Sequence, residues 1–285
     1  YINDGEGAFT EATDTPFEGV RTSSIAFADV DGDGDEDLLI TGRNSTLTPI
    51  SKLYTNDGGG TFSEVMSTPF DGVQSSFIAF TDVDGDDDED VLITGANNTG
   101  TEISKLYTND GDGNFSEAPD TPFEGVRWGS VSFTDVDGDN DPDVLLTGRP
   151  DPGVRISRLY INDGTGSFSE AMNTPFDGVQ NGSVAFADVD DDGDEDVLIT
   201  GLNGSSESIA KLYINGLVSS TASRSIESRL DLTPSPNPAI ADKIQVRYTA
   251  TKNSIATIKL YGITGRLIIQ KKESIGTGKH YFTLG

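Results

Sequence analysis

"FADVDGDGDEDLLITG" (residues 27–42) sets five aspartates and a glutamate into nine positions, Asp29 to Asp37, directly against an apolar run. Like charges at that density repel one another. Something must make the charge tolerable beside a packed strand. The pattern recurs as "FTDVDGDDDEDVLITG" (80–95), "FTDVDGDNDPDVLLTG" (133–148) and "FADVDDDGDEDVLITG" (186–201), each 53 residues after the last.

Working outward, the whole chain to residue 212 shares that period. Tyr1, Tyr54, Tyr107, Tyr160 and Tyr213 open one phrase, "YINDG", "YTNDG", "YTNDG", "YINDG" and "YINGL". Four gapless units follow, 1–53, 54–106, 107–159 and 160–212, ordered YxNDGxGxF, TPF(D/E)GV, F(A/T)DVD and (V/L)L(I/L)TG. Each reads as strands. "SSIAFADV" (23–30) alternates, with Ile25 and Phe27 on one face. "DLLITG" (37–42) is a short apolar run of the kind buried on both faces. "ISKLYTN" (50–56) and "GTFSEV" (60–65) flank Asn-Asp-Gly-Gly, a hairpin signal. The i, i+3, i+4, i+7 pattern of helical repeats is missing. Four short strands per repeat predict an all-β fold, a β-propeller of 53-residue four-stranded blades with four repeats visible.

A hard cation would answer the charge problem. Ca²⁺ takes about 6–8 oxygen ligands, and alternate residues of a tight loop can turn carboxylates inward. In the first loop Asp29, Asp31 and Asp33 occupy positions 1, 3 and 5, the carbonyl of Asp35 suits position 7, and Asp37 at position 9 can close the shell. The second loop offers Asp82, Asp84, Asp86, Asp88 and Asp90, and the third Asp135, Asp137, Asp139, Asp141 and Asp143. The fourth offers Asp188, Asp190, Asp192, Asp194 and Asp196. Position 6 is Gly34, Asp87, Asn140 and Gly193, all tolerant of left-handed backbone. An EF-hand would need a glutamate at position 12 and flanking helices. Here position 12 is Ile40, Ile93, Leu146 or Ile199, inside a strand. Solvated acidic turns without metal would not keep aspartate at positions 1, 3, 5 and 9 in every copy. Four Ca²⁺ ions, one per repeat, are expected, in preference to the smaller and more demanding Mg²⁺.

"DVDGDGDEDLL" together with "YINDGEGAF" resembles the FG-GAP/VCBS repeats of integrin-type propellers. The resemblance covers about residues 1–216 and implies calcium-bearing blades, commonly seven. With four visible, either further blades lie upstream or the strand around Ala8–Thr10 completes the last blade. The chain opens in the middle of a repeat, which predicts upstream sequence.

Residues 1–216 carry 44 acidic and 9 basic side chains, a net of −35, whereas 217–285 carry 4 and 10, a net of +6. The sign changes at a Ser-rich linker, 217–231 ("LVSSTASRS" at its start). Beyond it, Ile244, Val246 and Tyr248 alternate and Gly262–Gly265 marks a turn, predicting a small β-sandwich over 232–285. The order "PNP", "IKLYGITGR", "GKHYF" resembles the C-terminal sorting domain of type IX secretion cargo in Bacteroidetes, short of its last strand pair. That resemblance implies export through outer-membrane secretion machinery, to a secreted or cell-surface location.

Composition also excludes. No nucleic-acid partner is expected of so acidic a surface, no apolar stretch reaches the roughly 20 residues of a membrane span, and no cysteine is present for thiolate or disulfide chemistry. His280 is the only histidine, no phosphate-binding glycine loop leads into a helix, and the ordered carboxylates are committed to metal. The chain is expected not to be an enzyme. Phe17, Phe70, Phe123 and Phe176 read as packing wedges. Trp128, whose counterparts are Thr22, Ser75 and Asn181, is a candidate platform for a sugar. Segments 43–49, 96–102, 149–155 and 202–208 vary most between units, and such loops carry specificity on rigid scaffolds. Three functional readings remain: an adhesion or polysaccharide/protein-binding module, a non-catalytic accessory region of a larger exported hydrolase, and a structural surface spacer.

Overall fold

A computed structural model describes residues 2–3, 5–216, 244–250, 254–261, 267–275 and 278–284. The chain divides into two compact units, Tyr1–Leu217 and Val218–Gly285. Among the described residues every regular element is a strand.

A short pair, β1 (Ile2–Asn3) and β2 (Phe9–Thr10), comes first. Three antiparallel four-strand meanders follow. The first is β3 (Arg21–Ala28), β4 (Asp37–Arg43), β5 (Pro49–Asn56) and β6 (Phe62–Glu64). The second is β7 (Val73–Thr81), β8 (Asp90–Asn97), β9 (Glu102–Asn109) and β10 (Phe115–Glu117). The third is β11 (Arg127–Thr134), β12 (Asp143–Arg149), β13 (Ile156–Asn162) and β14 (Phe168–Glu170). In the fourth copy the first strand is broken into β15 (Val179–Gln180) and β16 (Val184–Ala187), both paired to β17 (Asp196–Asn203), which pairs with β18 (Ser208–Tyr213). Among the described residues β2 pairs only with β1, and β18 only with β17. The N-terminal strand therefore does not complete the fourth meander.

The motifs explain why each copy folds alike. The apolar run of the second strand is buried along its length in the first three meanders, as at Leu38, Leu39 and Ile40, and in the fourth at Val197 and Ile199. Its closing glycine (Gly42, Gly95, Gly148, Gly201) has φ of 144–148°, and a Cβ on Gly95 would lie 2.9 Å from the Gln74 carbonyl oxygen. The TPF(D/E)GV phenylalanine packs edge-on against the YxN tyrosine, with ring centroids 4.9–5.2 Å apart in all four copies. Each tyrosine hydroxyl in turn accepts from the backbone N–H of the acidic residue after that phenylalanine, at 3.1–3.4 Å. A basic residue two positions before each tyrosine (Lys52, Lys105, Arg158, Lys211) pairs with the same acidic residue.

Apolar faces of successive meanders share cores. Leu39 and Leu53 of the first pack with Ile78, Val91 and Ile93 of the second. Leu92 and Leu106 of the second pack with Val131, Val144 and Leu146 of the third. At the ends of the array the equivalent side chains face solvent: Ile25 is 61% and Phe27 55% exposed, and Leu198 41% and Leu212 51%, where Leu39, Leu92 and Leu145 are 0%.

In the second unit, β19 (Ile244–Ala250) pairs with β22 (Gly278–Leu284) and β20 (Ser254–Tyr261) with β21 (Leu267–Ile275), all antiparallel. The expected linker at 217–231 and the turn at Gly262–Gly265 lie outside the described residues.

Candidate metal centres

Each aspartate loop joins the first two strands of its meander, and its internal hydrogen bonds give every position a separate task. Position 1 folds the loop over itself. Asp29 Oδ1 and Oδ2 accept from the N–H groups of Gly32 and Gly34, both at 2.9 Å. Asp82, Asp135 and Asp188 do the same at position 6, accepting from Asp87, Asn140 and Gly193 at 2.9–3.0 Å. Position 6 has φ between 71° and 95° in all four loops. Position 5 braces the next turn, as where Asp33 Oδ1 accepts from Asp35 N–H at 2.9 Å.

Position 9 ties the loop to the third strand. Asp37 Oδ2 accepts from Val30 N–H (3.0 Å) and its Oδ1 from Asn56 N–H (2.7 Å). Asp90, Asp143 and Asp196 repeat both bonds, and all four carboxylates are 1% exposed. Position 7 stands apart. The carboxylates of Asp35, Asp88 and Asp141 lean on Gly58, Gly111 and Gly164 of the following hairpin turn, where a Cβ would approach within 2.2–2.6 Å.

Oxygens of Asp29, Asp31 and Asp33 lie within 4.8 Å of one another, as do those of Asp82, Asp84 and Asp86. In the third and fourth loops the converging sets are Asp135, Asp137, Asp143 and Asp188, Asp190, Asp196. Position 5 thus joins the cluster in two loops and position 9 in the other two. Position 3 belongs to all four. Burial, and then the neighbouring Asp33, pushes the Asp31 carboxyl above its ordinary range; the same causes in the same order raise Asp84, Asp137 and Asp190. Burial outweighs two N–H bonds to lift Asp90 and Asp143 to about 6.

These residues fit a hard cation. Every donor is oxygen. Ligands on opposite sides of a Ca²⁺ ion stand roughly 4.6–5.2 Å apart, twice the bond length, and the converging oxygens, all within 4.8 Å of one another, are close enough to share one ion. Moreover Asp31 Oδ1 and Asp84 Oδ1 are buried without a hydrogen-bond partner, and an unpartnered buried carboxylate oxygen is costly unless something coordinates it.

One participant was missed from sequence, although its invariance at the 53-residue spacing signals it. The asparagine of YxN not only takes the position-9 bond through its backbone. Its side chain also reaches back to the preceding loop: Asn109 Nδ2 donates to Val30 O, Asn162 to Val83 O and Asn215 to Val136 O, at 2.7–2.8 Å. Each loop from the first to the third is therefore bonded to the next meander.

Trp128 lies at the other end of the strands. Strand register opposes Arg127 to Arg149 at one end of β11–β12 and Thr134 to Asp143 at the loop end. The Trp128 backbone is left-handed (φ 54°), like Thr22, Ser75 and Asn181 at the same bulge. Its ring is engaged by the guanidinium groups of Arg127 and Arg149, 4.5 and 4.7 Å from the ring centroid.

The FG-GAP-like repeat family matches residues 1–40, 29–93, 82–146 and 135–199. No curated protein matches the chain. Among solved structures, the Vibrio cholerae biofilm matrix protein Bap1 is similar at 16% identity and a TM-score of 0.35; the match covers 91% of this chain and 41% of that one, so this chain spans less than half of Bap1's length. The overlapping family matches begin at successive aspartate loops and together run from the N-terminus through the fourth loop, so the chain belongs to the FG-GAP-like repeat family.

Proposed function

We propose that residues 1–216 form a calcium-loaded propeller module that binds an extracellular ligand and performs no catalysis. The observation that carries the reading is the set of converging carboxylates with buried, unpartnered oxygens at Asp31 and Asp84. When bound, Ca²⁺ supplies positive charge at the point where three carboxylates meet. The chain's own residues do the rest: position 1 shapes the loop, position 3 turns inward, and position 9 and the YxN asparagine transmit loop order to the neighbouring strands.

Ring closure is part of this proposal. Each internal interface buries a leucine-rich face against the next meander, and the solvent-facing Ile25, Phe27, Leu198 and Leu212 ask for neighbours of the same kind. Meanders of the same kind packed on these faces would close the ring. The C-terminal unit is proposed as the export signal of a type IX cargo protein, on its sequence resemblance, which would place the propeller outside the cell or at its surface.

Equilibrium dialysis of the metal-stripped chain against radioactive calcium tests the metal reading. Four ions per chain are expected, with one lost for each of Asp31→Asn, Asp84→Asn, Asp137→Asn and Asp190→Asn. Uptake of no ion in the millimolar range would sink it.

A further inference from the structure

The nine basic side chains of residues 1–216 divide cleanly. Lys52, Lys105, Arg158 and Lys211 occupy one repeat position and are all ion-paired. The other five, Arg21, Arg43, Arg127, Arg149 and Arg155, all stand at the strand ends remote from the aspartate loops, as register shows for Arg21 opposite Arg43 and Arg127 opposite Arg149. Two like charges directly opposed across a sheet are destabilising. In the second and fourth meanders the same register position pairs Gln74 with Ala96 and Gln180 with Leu202, so the repeat itself does not require arginines there.

The third meander is the more specialised of the two arginine-bearing copies. Elsewhere the loop after the second strand turns around an asparagine: the side-chain oxygens of Asn44, Asn97 and Asn203 each accept two backbone N–H bonds from their own loop. Pro150 replaces that asparagine in the third copy, and the loop carries Arg149 and Arg155 at its two ends. Arg127 is ion-paired to Glu102 (Nε–Oε1 3.1 Å), outside hydrogen-bond geometry, while the buried Nε atoms of Arg149 and Arg155 have no partner. Next to them the Trp128 carbonyl accepts from Asn181 N–H at 2.7 Å. The adjoining Gln180 is 8% exposed, and its Oε1 is buried with nothing donating to it. Two guanidinium forks spaced by an indole, beside an unfilled acceptor, suit a molecule carrying both an anionic group and hydroxyls.

We propose that Arg127, Trp128, Arg149, Arg155 and Gln180 form a binding site for an acidic saccharide unit of a polysaccharide, the guanidinium groups taking its carboxylate or sulfate and Gln180 Oε1 one of its hydroxyls. The site rests on the reading of the chain as a binding module and gives that module a ligand class. Trp128 acts here mainly as a spacer that holds the two guanidinium groups together, because its ring is already engaged by them.

The test is titration calorimetry of the full chain in millimolar calcium with three probes: hyaluronan oligosaccharides (carboxylate), dextran sulfate (sulfate) and dextran (neutral). Binding of an anionic probe but not of dextran is expected. R149Q and R127Q should each weaken it about tenfold, the loss of one charge-assisted contact. R149K, which keeps the charge but not the fork, should weaken it nearly as much, and Q180L less. Preference between the first two probes assigns the anion as carboxylate or sulfate. Calcium uptake and unfolding midpoint, measured on the same variants, should match the unsubstituted chain, which separates failure of this site from failure of the metal centres. Three outcomes overturn the proposal: no binding by folded, calcium-replete protein, equal binding of dextran, or binding that survives R149Q and R127Q but is lost in Asp84→Asn, the mark of calcium bridging at the other end.

Discussion

At the scale of single residues, two aspartates of one loop should behave oppositely. Asp90 is an internal acceptor, holding Val83 N–H and Asn109 N–H, whereas Asp84 has a buried oxygen with no protein partner. Asp90→Ala leaves two buried donors unsatisfied and should cost at least about 2 kcal/mol with or without calcium, read by urea unfolding. Asp84→Asn should cost little in chelator and abolish that loop's calcium response. Proton linkage gives a further expectation. Asp90 and Asp143 titrate near 6 in the folded, metal-free chain, above the ordinary value of about 3.9. The folded state then binds more protons than the unfolded one between those values, so metal-free stability should rise as pH falls from 7 to 5. The lowered carboxyls of Glu18, held down by Lys52, and Asp177, held down by Lys211, act in reverse: their contribution is present above the ordinary range and lost in more acid solution. Unfolding midpoints of metal-stripped protein should therefore peak near pH 5, and a peak at pH 7–8 would contradict this.

At the scale of strands and loops, the bulge at the start of each first strand stores strain. Thr22 is β-branched and left-handed (φ 48°), a conformation such residues rarely adopt. Asn181 holds the same place in the fourth copy with φ 51°. Thr22→Asn should raise stability by roughly 0.5–1 kcal/mol, measured by chemical unfolding; a loss would show that the Thr22 hydroxyl bond to the Arg21 carbonyl matters more. The elements themselves were legible in sequence because each motif recurs in register. "DLLITG" is the buried strand, "NDGG" the hairpin turn, and the aspartates at positions 1 and 3 converge in every loop. Which of positions 5 and 9 joins them was not legible, since all four loops carry aspartate at both positions. Nor was the Arg127–Arg149 opposition, which exists only once strand register is fixed and which separates in sequence by 22 positions.

At the scale of the whole molecule, the repeat behaves as a stack of units whose faces are buried by neighbours. One position makes the point. Leu92 is 0% and Leu198 41% exposed, although both sit one residue into the same motif. Leu92→Ala should cost about 2–5 kcal/mol, and Leu198→Ala well under about 1 kcal/mol, in parallel denaturation experiments. Sequence periodicity alone would assign them equal cost, because the end of the described array is not visible in a repeat pattern. The net charge of −29 sets the larger energetic problem. On the proposed reading, millimolar calcium bound at ~0.1–1 mM would stabilise each site by roughly 0.4–1.5 kcal/mol and would also screen the aspartates from one another.

The most direct test of the calcium claim is thermal unfolding of the full chain after metal removal, followed across a calcium titration with magnesium as control. The account predicts a calcium-specific rise of several degrees that saturates in the millimolar range and disappears when Asp31, Asp84, Asp137 and Asp190 are all replaced by asparagine. A midpoint that ignores calcium, or a rise that survives the fourfold replacement, would contradict it.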